Sequence, residues 1–218
     1  MNGESCPLCG VVNAGFYYRS KLKNLERVFL RCVNCDLIFV PEQFHLNCSA
    51  QKERYLQHNN DPDDAKYRAF LSRLCNELVP LLVKGSKGID YGSGPGPALA
   101  LMLNEGGFKM NTFDVFFQPD ASVLSDKYDF VVCTETAEHF ADPERDFRIF
   151  DSMLKPGGFI GIMTSLFNEK IDFGNWHYHR DPTHIAFYSI NTMELIAQRF
   201  NWEMSLPVDN VVVFKKAG

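Results

Sequence analysis

The sequence predicts an α/β fold, a mostly parallel sheet flanked by helices, with a small metal-stapled β unit at the N-terminus. Three observations predict it. Short apolar strands alternate with helical segments from residue 88 onward. A glycine-rich turn follows the first of those strands, and two Cys-x-x-Cys pairs precede the whole series. The 218 residues suffice for one such domain with a short appendage, so one main site is expected.

Residues 1–48 read as two metal-knuckle turns joined by the β-prone stretches Phe16-Tyr17-Tyr18, Val28-Phe29-Leu30 and Leu37-Ile38-Phe39-Val40. Residues 49–87 read as linker and lead-in helices: a polar turn around residues 59–64, then Tyr67, Phe70, Leu71, Leu74, Leu78 and Leu81 at helical spacing. Residues 88–218 form the main domain. Its strands are expected at Ile89-Asp90-Tyr91, Thr112-Phe113-Asp114 and Phe130 to Thr134, with a helix from Ala98 to Asn104 between the first two.

Asp142 and Pro143 mark the N-cap and first position of a helix that ends at Lys155-Pro156-Gly157-Gly158. A strand from Phe159 to Met163, a long loop to about Ser189, and a helix opened by Asn191 with Glu194 as a capping box come next. A hairpin of Trp202 to Leu206 and Val211 to Phe214 closes the domain.

Composition excludes some functions. No run approaches the roughly 18 apolar residues of a membrane helix. The start MNGESCPLCG has neither the basic residues nor the apolar stretch of a secretory signal, so a cytoplasmic location is expected. Thiols stay reduced there, and seven cysteines then point to metal binding and not to a disulfide framework. Net charge is −5, with seven Lys/Arg against five Asp/Glu in residues 1–60 and fifteen against twenty-two beyond. An acidic main domain disfavours nucleic acid as substrate.

Cys6-Pro7-Leu8-Cys9 and Cys32-Val33-Asn34-Cys35, with twenty-two residues between the pairs, have the spacing of a tetrahedral zinc site. Four thiolates leave no open position for water, so the zinc is expected to be structural. His45 and Cys48 lie near enough to substitute as ligands, while Cys75 and Cys133 read as core residues.

The segment Gly88-Ile89-Asp90-Tyr91-Gly92-Ser93-Gly94-Pro95-Gly96-Pro97 is a strand running into a turn that lets a ligand approach the backbone. A dinucleotide fingerprint starting at Gly92 requires glycine where Pro97 stands, and no Gly-Lys-Ser/Thr ending marks a phosphate loop. Asp90 beside the turn suits a cationic ligand and repels a pyrophosphate. Asp114 ends the next strand where a carboxylate can hold ribose hydroxyls.

This order, together with Tyr128-Asp129-Phe130-Val131-Val132-Cys133-Thr134-Glu135, Glu138-His139-Phe140 and Leu154-Lys155-Pro156-Gly157-Gly158, resembles the class I S-adenosylmethionine-dependent methyltransferases over about residues 65–218. The resemblance implies a Rossmann-like sheet of order 3-2-1-4-5-7-6 with the seventh strand antiparallel. It implies that Gly92, Gly94 and Gly96 line the methionine and ribose of S-adenosylmethionine. Asp90 would support the turn or the methionine amino group, Asp114 would hold the ribose, and Thr134 and Glu135 would border the methionine. Only fourteen residues separate Asp114 from Asp129, so the third strand is expected to be missing or short. That leaves Val115, Phe116 and Asp120 as candidates near the adenine. Zinc units of this kind occur in methyltransferases acting on ribosomal RNA and in others acting on sugar nucleotides, so the unit alone does not choose a substrate.

Methyl transfer needs alignment, a dry pocket and, for many acceptors, a base. The loop Asn175 to Ser189 is dense in aromatic and titratable groups and is the leading substrate site, with Trp176, Tyr178, His184 and Tyr188 as its candidate contacts. His184 is the first choice for a base or acceptor-orienting group and His139 the second; His177 and His179 read as solvated. Tyr55, His58 and Asn59 could form a lid. A small-molecule acceptor fits the charge best. The alternatives are an RNA or protein methyltransferase, for which Arg19, Lys21, Lys23, Arg27 and Arg31 would form a basic patch, and a non-catalytic module with a lapsed site. Oligomeric state has no signature in the sequence.

Overall fold

The computed structural model describes residues 4–23, 25–57 and 60–218; His58 and Asn59, expected in a lid, lie outside them. The N-terminal part carries strands β1 (Gly15–Arg19), β2 (Val28–Arg31) and β3 (Ile38–Phe39). Helices α1 (Cys48–Tyr55) and α2 (Ala65–Leu78) follow. The main domain then runs β4 (Lys87–Tyr91), α3 (Ala98–Glu105), β5 (Lys109–Phe113), β6 (Tyr128–Thr134), α4 (Pro143–Met153) and β7 (Leu154–Met163). It ends with β8 (Ala186–Phe187), α5 (Ile190–Phe200), β9 (Trp202–Val208) and β10 (Val211–Lys216).

The main sheet has the order β5-β4-β6-β7-β10-β9. Strands β5, β4, β6 and β7 are parallel, and β10 runs antiparallel to both β7 and β9. This is the expected Rossmann-like order without its first member. The missing third strand has a plain cause: a parallel crossover takes a dozen or more residues before its strand begins. The short connection here is used instead by a bridge between Asp114 and Gln118 and a 3-10 turn over Ala121–Ser125.

Strand β6 shows why the sheet is buried on both faces. Phe130 and Val132 pack with Leu71, Leu74 and Leu78 of α2 and Leu99 and Leu103 of α3. Val131 and Cys133 point the other way, to Phe147 and Phe150 of α4 and Ile196 of α5. The two-residue period of a strand thus feeds two separate cores. Asp142 caps α4 by accepting from the Arg145 amide, with Pro143 at the first helical position as expected. Helix α5 opens two residues earlier than expected: Ser189 is the cap and Thr192 its reciprocal partner, not Asn191 and Glu194.

The stretch after β7, expected as a plain loop, forms a 3-10 turn at His177–Arg180 and then β8. Strand β8 pairs antiparallel with β3, Ile38 opposite Phe187, and completes a second sheet of order β1-β2-β3-β8. The segment holding the candidate substrate residues is therefore built into the sheet of the cysteine unit. Phe29, Ile38 and Val40 share a core with Phe167, Phe173, Tyr178 and Phe187. No helix among the described residues is long and apolar enough to cross a membrane.

Candidate active site

Parallel strands end together, and where the chain leaves β4 for one side of the sheet and β6 lies on the other, the connections diverge and leave a crevice. A cleft of about 850 Å³ opens there. Asp90, Gly92, Ser93, Gly94 and Pro95 line one side; Asp114 and Val115 from the end of β5, with Thr134 and Glu135 from the end of β6, line the floor. Glu138, His139, Tyr178, Asp181 and His184 form the acceptor wall, and Tyr55 and Tyr67 also line the cleft.

The glycine turn is shaped by its neighbours. Gly92 and Gly94 have φ of +81° and +65°, the left-handed region that a side chain disfavours. Gly96 corrects the sequence expectation, because it is not on the cleft wall. A Cβ there would lie 2.1 Å from the Asn60 carbonyl oxygen, so glycine at 96 lets the incoming chain cross the turn.

Asp114 ties the turn to the strand ends. One carboxylate oxygen accepts from the Gly94 amide at 3.0 Å and the other from the Phe116 and Phe117 amides at 2.8 and 3.0 Å. Asp90 is 2% exposed. Burial, together with the charge of Asp114 and against the Ala100 amide, pushes its carboxyl up to about 7. Burial and the neighbouring Glu138 push Glu135 up to about 9, Arg73 and Tyr178 opposing them. Ser93 Oγ is buried with no hydrogen-bond partner. A carboxyl that is costly to ionise, an unpartnered hydroxyl and an open backbone cradle all fit a cationic polar ligand such as the amino-acid end of S-adenosylmethionine. Val115 and Phe116 line the cleft near Asp114; Asp120 does not, because its side chain caps the Ser122 amide.

On the acceptor wall, His184 Nδ1 donates to the Tyr178 carbonyl at 2.7 Å and His139 Nδ1 to the Thr183 carbonyl at 2.9 Å. Their rings meet edge to face at 4.8 Å. Burial pushes His184 down to about 4, against the pull of Glu138, so its imidazole is neutral near pH 7 and suited to orienting an acceptor more than to holding a proton. Tyr178 is on the wall. Two other expected substrate contacts are not. Tyr188 is fully buried and donates to the Ala137 carbonyl at 2.9 Å, while Trp176 packs among Phe167, Phe173 and Phe187. His179, expected in solvent, is 1% exposed and stacks on Phe173; His177 is exposed, at the edge of the cleft.

Residues the sequence reading missed include Gln51 of α1 and Tyr67, Phe70 and Arg73 of α2. Arg73 follows Phe70 by three positions, so a cation on the helix's apolar stripe was the available signal.

The four cysteines converge as their spacing predicts. Cys6 and Cys35 Sγ are 3.5 Å apart, as are Cys9 and Cys32; four ligands at about 2.3 Å in a tetrahedron require sulfurs about 3.7 Å apart. Each Cys-x-x-Cys sits on a turn of the same kind, one closed by the Gly10 amide on the Cys6 carbonyl and the other by the Asp36 amide on the Cys32 carbonyl, with Gly10 and Asp36 left-handed. His45 and Cys48 are not ligands: the His45 ring bonds the Val40 carbonyl and Cys48 is exposed at the start of α1. Of the five basic residues that an RNA-binding alternative would use, Arg19 pairs with Glu26, Arg31 pairs with Asp36 and Glu169, and Arg27 is buried, while Lys21 and Lys23 are exposed.

Comparison with known proteins agrees with this geometry. The chain is similar to a ubiquinone biosynthesis O-methyltransferase of Aeromonas salmonicida, 34% identical over 83 residues, 38% of this chain and 35% of the relative. It is 32% identical over 97 residues to an enzyme of the same name from Pseudomonas savastanoi, 44% of this chain and 42% of that one. The chain thus spans about two fifths or less of the length of these curated relatives. Among solved structures, a Burkholderia thailandensis 1,6-didemethyltoxoflavin-N1-methyltransferase with bound 1,6-didemethyltoxoflavin and S-adenosylhomocysteine superposes with a TM-score of 0.57 at 12% identity. That match covers 94% of this chain and 100% of the other, and shows the fold. A family model described as a methyltransferase domain matches residues 64–205, and the chain belongs to that family.

Proposed function

We propose that the chain is an S-adenosylmethionine-dependent methyltransferase acting on a small-molecule acceptor, most simply at a hydroxyl oxygen. The observation that carries this reading is that the glycine turn and the paired histidines line one cleft. Its volume of about 850 Å³ lies in the range of small-ligand sites. The O-methyltransferase relatives support an oxygen acceptor, and the pairing of Arg19 and Arg31 with carboxylates together with the burial of Arg27 weakens the RNA reading.

When bound, S-adenosylmethionine supplies an electrophilic methyl group for in-line displacement and leaves as the neutral thioether. The chain's part is positioning. Asp90 and Ser93 would hold the methionine end against the glycine turn, and Asp114 would hold the ribose. His139 and His184 would orient the acceptor through their free Nε2 atoms, while Tyr55 and Tyr178 exclude water. The four cysteines would hold a structural zinc that fixes the sheet carrying β8.

Calorimetry with S-adenosylmethionine, then mass spectrometry over a panel of hydroxylated small molecules, tests the reading. Binding at the glycine turn with transfer of one methyl group is expected. Absence of cofactor binding by folded protein would instead identify a lapsed, non-catalytic module.

A further inference from the structure

We propose that Glu138, His139 and His184 hold a divalent transition-metal ion on the acceptor wall of the cleft, at a site separate from the four cysteines. Each residue offers one ligand atom, and the three atoms lie within 4.8 Å of one another. All three residues line the cleft.

The backbone prepares the ligands. Both histidines spend Nδ1–H on carbonyl oxygens, of Thr183 and Tyr178, which leaves the lone pair on Nε2. Glu138 is fully buried, and Thr164 Oγ1 donates to its Oε2 at 2.9 Å. Its Oε1 has no hydrogen-bond partner and faces His184 Nε2 at 4.0 Å. Two imidazoles and a buried carboxylate whose Oε1 has no donor, gathered within 4.8 Å, form an arrangement that a cation between them satisfies. The two segments are also fixed together, since the Ile185 amide donates to the Glu138 carbonyl at 2.8 Å.

Two imidazoles and one carboxylate suit iron, cobalt, nickel or zinc better than magnesium or calcium. Ligand bonds of about 2.1 Å need donor atoms about 3.0–3.5 Å apart, so closure takes side-chain rotations on the order of 1 Å. Three protein ligands leave positions open toward the cleft. Resting on the methyltransferase reading, an acceptor hydroxyl coordinated there would release its proton to water more readily and be presented to the methyl group as an oxyanion.

The test uses the full chain with its cysteine site filled by zinc, titrated with Co²⁺ by calorimetry and absorption. One further equivalent should bind without thiolate-to-cobalt charge-transfer absorption. Glu138→Gln and His139→Ala should each weaken it at least about tenfold with zinc content unchanged. Because His139 is only half-buried, its variant serves as the control that keeps the fold, checked by circular dichroism. No cobalt beyond the cysteine site, or undiminished affinity in folded His139→Ala, would overturn the proposal. S-adenosylmethionine binding is measured separately on metal-free cleft: its retention without cobalt binding sinks only the metal site, and its loss with cobalt binding intact sinks only the methyltransferase reading.

Discussion

Arg27 Nη1 donates to the His184 carbonyl at 2.9 Å, from a position 157 residues earlier in the chain. The same guanidinium also donates to the carbonyls of His179, Asp181 and Pro182, so one buried side chain holds the backbone of the acceptor wall. The cysteine unit reaches the candidate chemistry through this contact as well as through β8.

Arg27→Met should therefore act on both stability and acceptor binding. Carbonyls left without their charged donor cost roughly 2–4 kcal/mol together. Urea unfolding should show that loss, and the KM for an acceptor should rise while the dissociation constant for S-adenosylmethionine stays within about twofold. An equal loss of affinity for both ligands would show that Arg27 supports the whole fold and not the wall.

The proposed zinc site makes a second, separable prediction. Cys35→Ser should abolish stoichiometric zinc, measured by elemental analysis, because three thiolates hold the ion far less firmly than a closed tetrahedral set. The sheet β1-β2-β3-β8 should loosen and methyl transfer should fall at least tenfold on the order expected for a displaced catalytic segment. Cofactor binding should persist, because the glycine turn is built on the other sheet. Full activity in zinc-free protein would refute the structural role.

Asp90 makes the pH dependence specific. Its carboxyl is raised from the usual 3.8 to about 7 by burial. The folded state therefore binds the proton more tightly than the unfolded chain, and Asp90 makes the ligand-free protein less stable as pH rises from about 4 to about 7. A bound ammonium prefers the ionised form, so cofactor affinity should rise by about fivefold between pH 6 and pH 7, following the ionised fraction of a group titrating near 7. Tyr67, Asp114 and Glu135 share its surroundings. Asp90→Asn should flatten both profiles; an unchanged affinity profile in that variant would place the titrating group elsewhere.

Much of this was legible in the sequence because the signals were local. The Cys-x-x-Cys turns and the Asp142-Pro143 helix start follow from short-range patterning; the strand order comes from the resemblance to a methyltransferase family, and the absent third strand from the short chain between Asp114 and Asp129. What was not legible depends on long-range packing. Nothing near Tyr188 says that its hydroxyl will meet the Ala137 carbonyl, and nothing near Gly96 says that Asn60 will cross it. Strand β8 is two residues long and exists only because β3 is there to pair with it.

Two glycines in one turn should respond to alanine in opposite ways. At Gly94 the nearest atom to an added Cβ is the Asn60 side-chain nitrogen at 3.4 Å, so the cost is mainly the left-handed φ, about 1 kcal/mol. The new methyl group would stand at the cleft wall and should weaken S-adenosylmethionine binding by about tenfold or more. At Gly96 the added Cβ would lie 2.1 Å from a backbone oxygen, which must move, at a cost of roughly 1–3 kcal/mol. Cofactor affinity measured well below the unfolding transition should change little there, because Gly96 does not line the cleft. Chemical denaturation and calorimetry on both variants separate the two effects. If Gly96→Ala loses affinity while keeping its stability, position 96 contacts the ligand after all, and the division of labour along the turn is wrong.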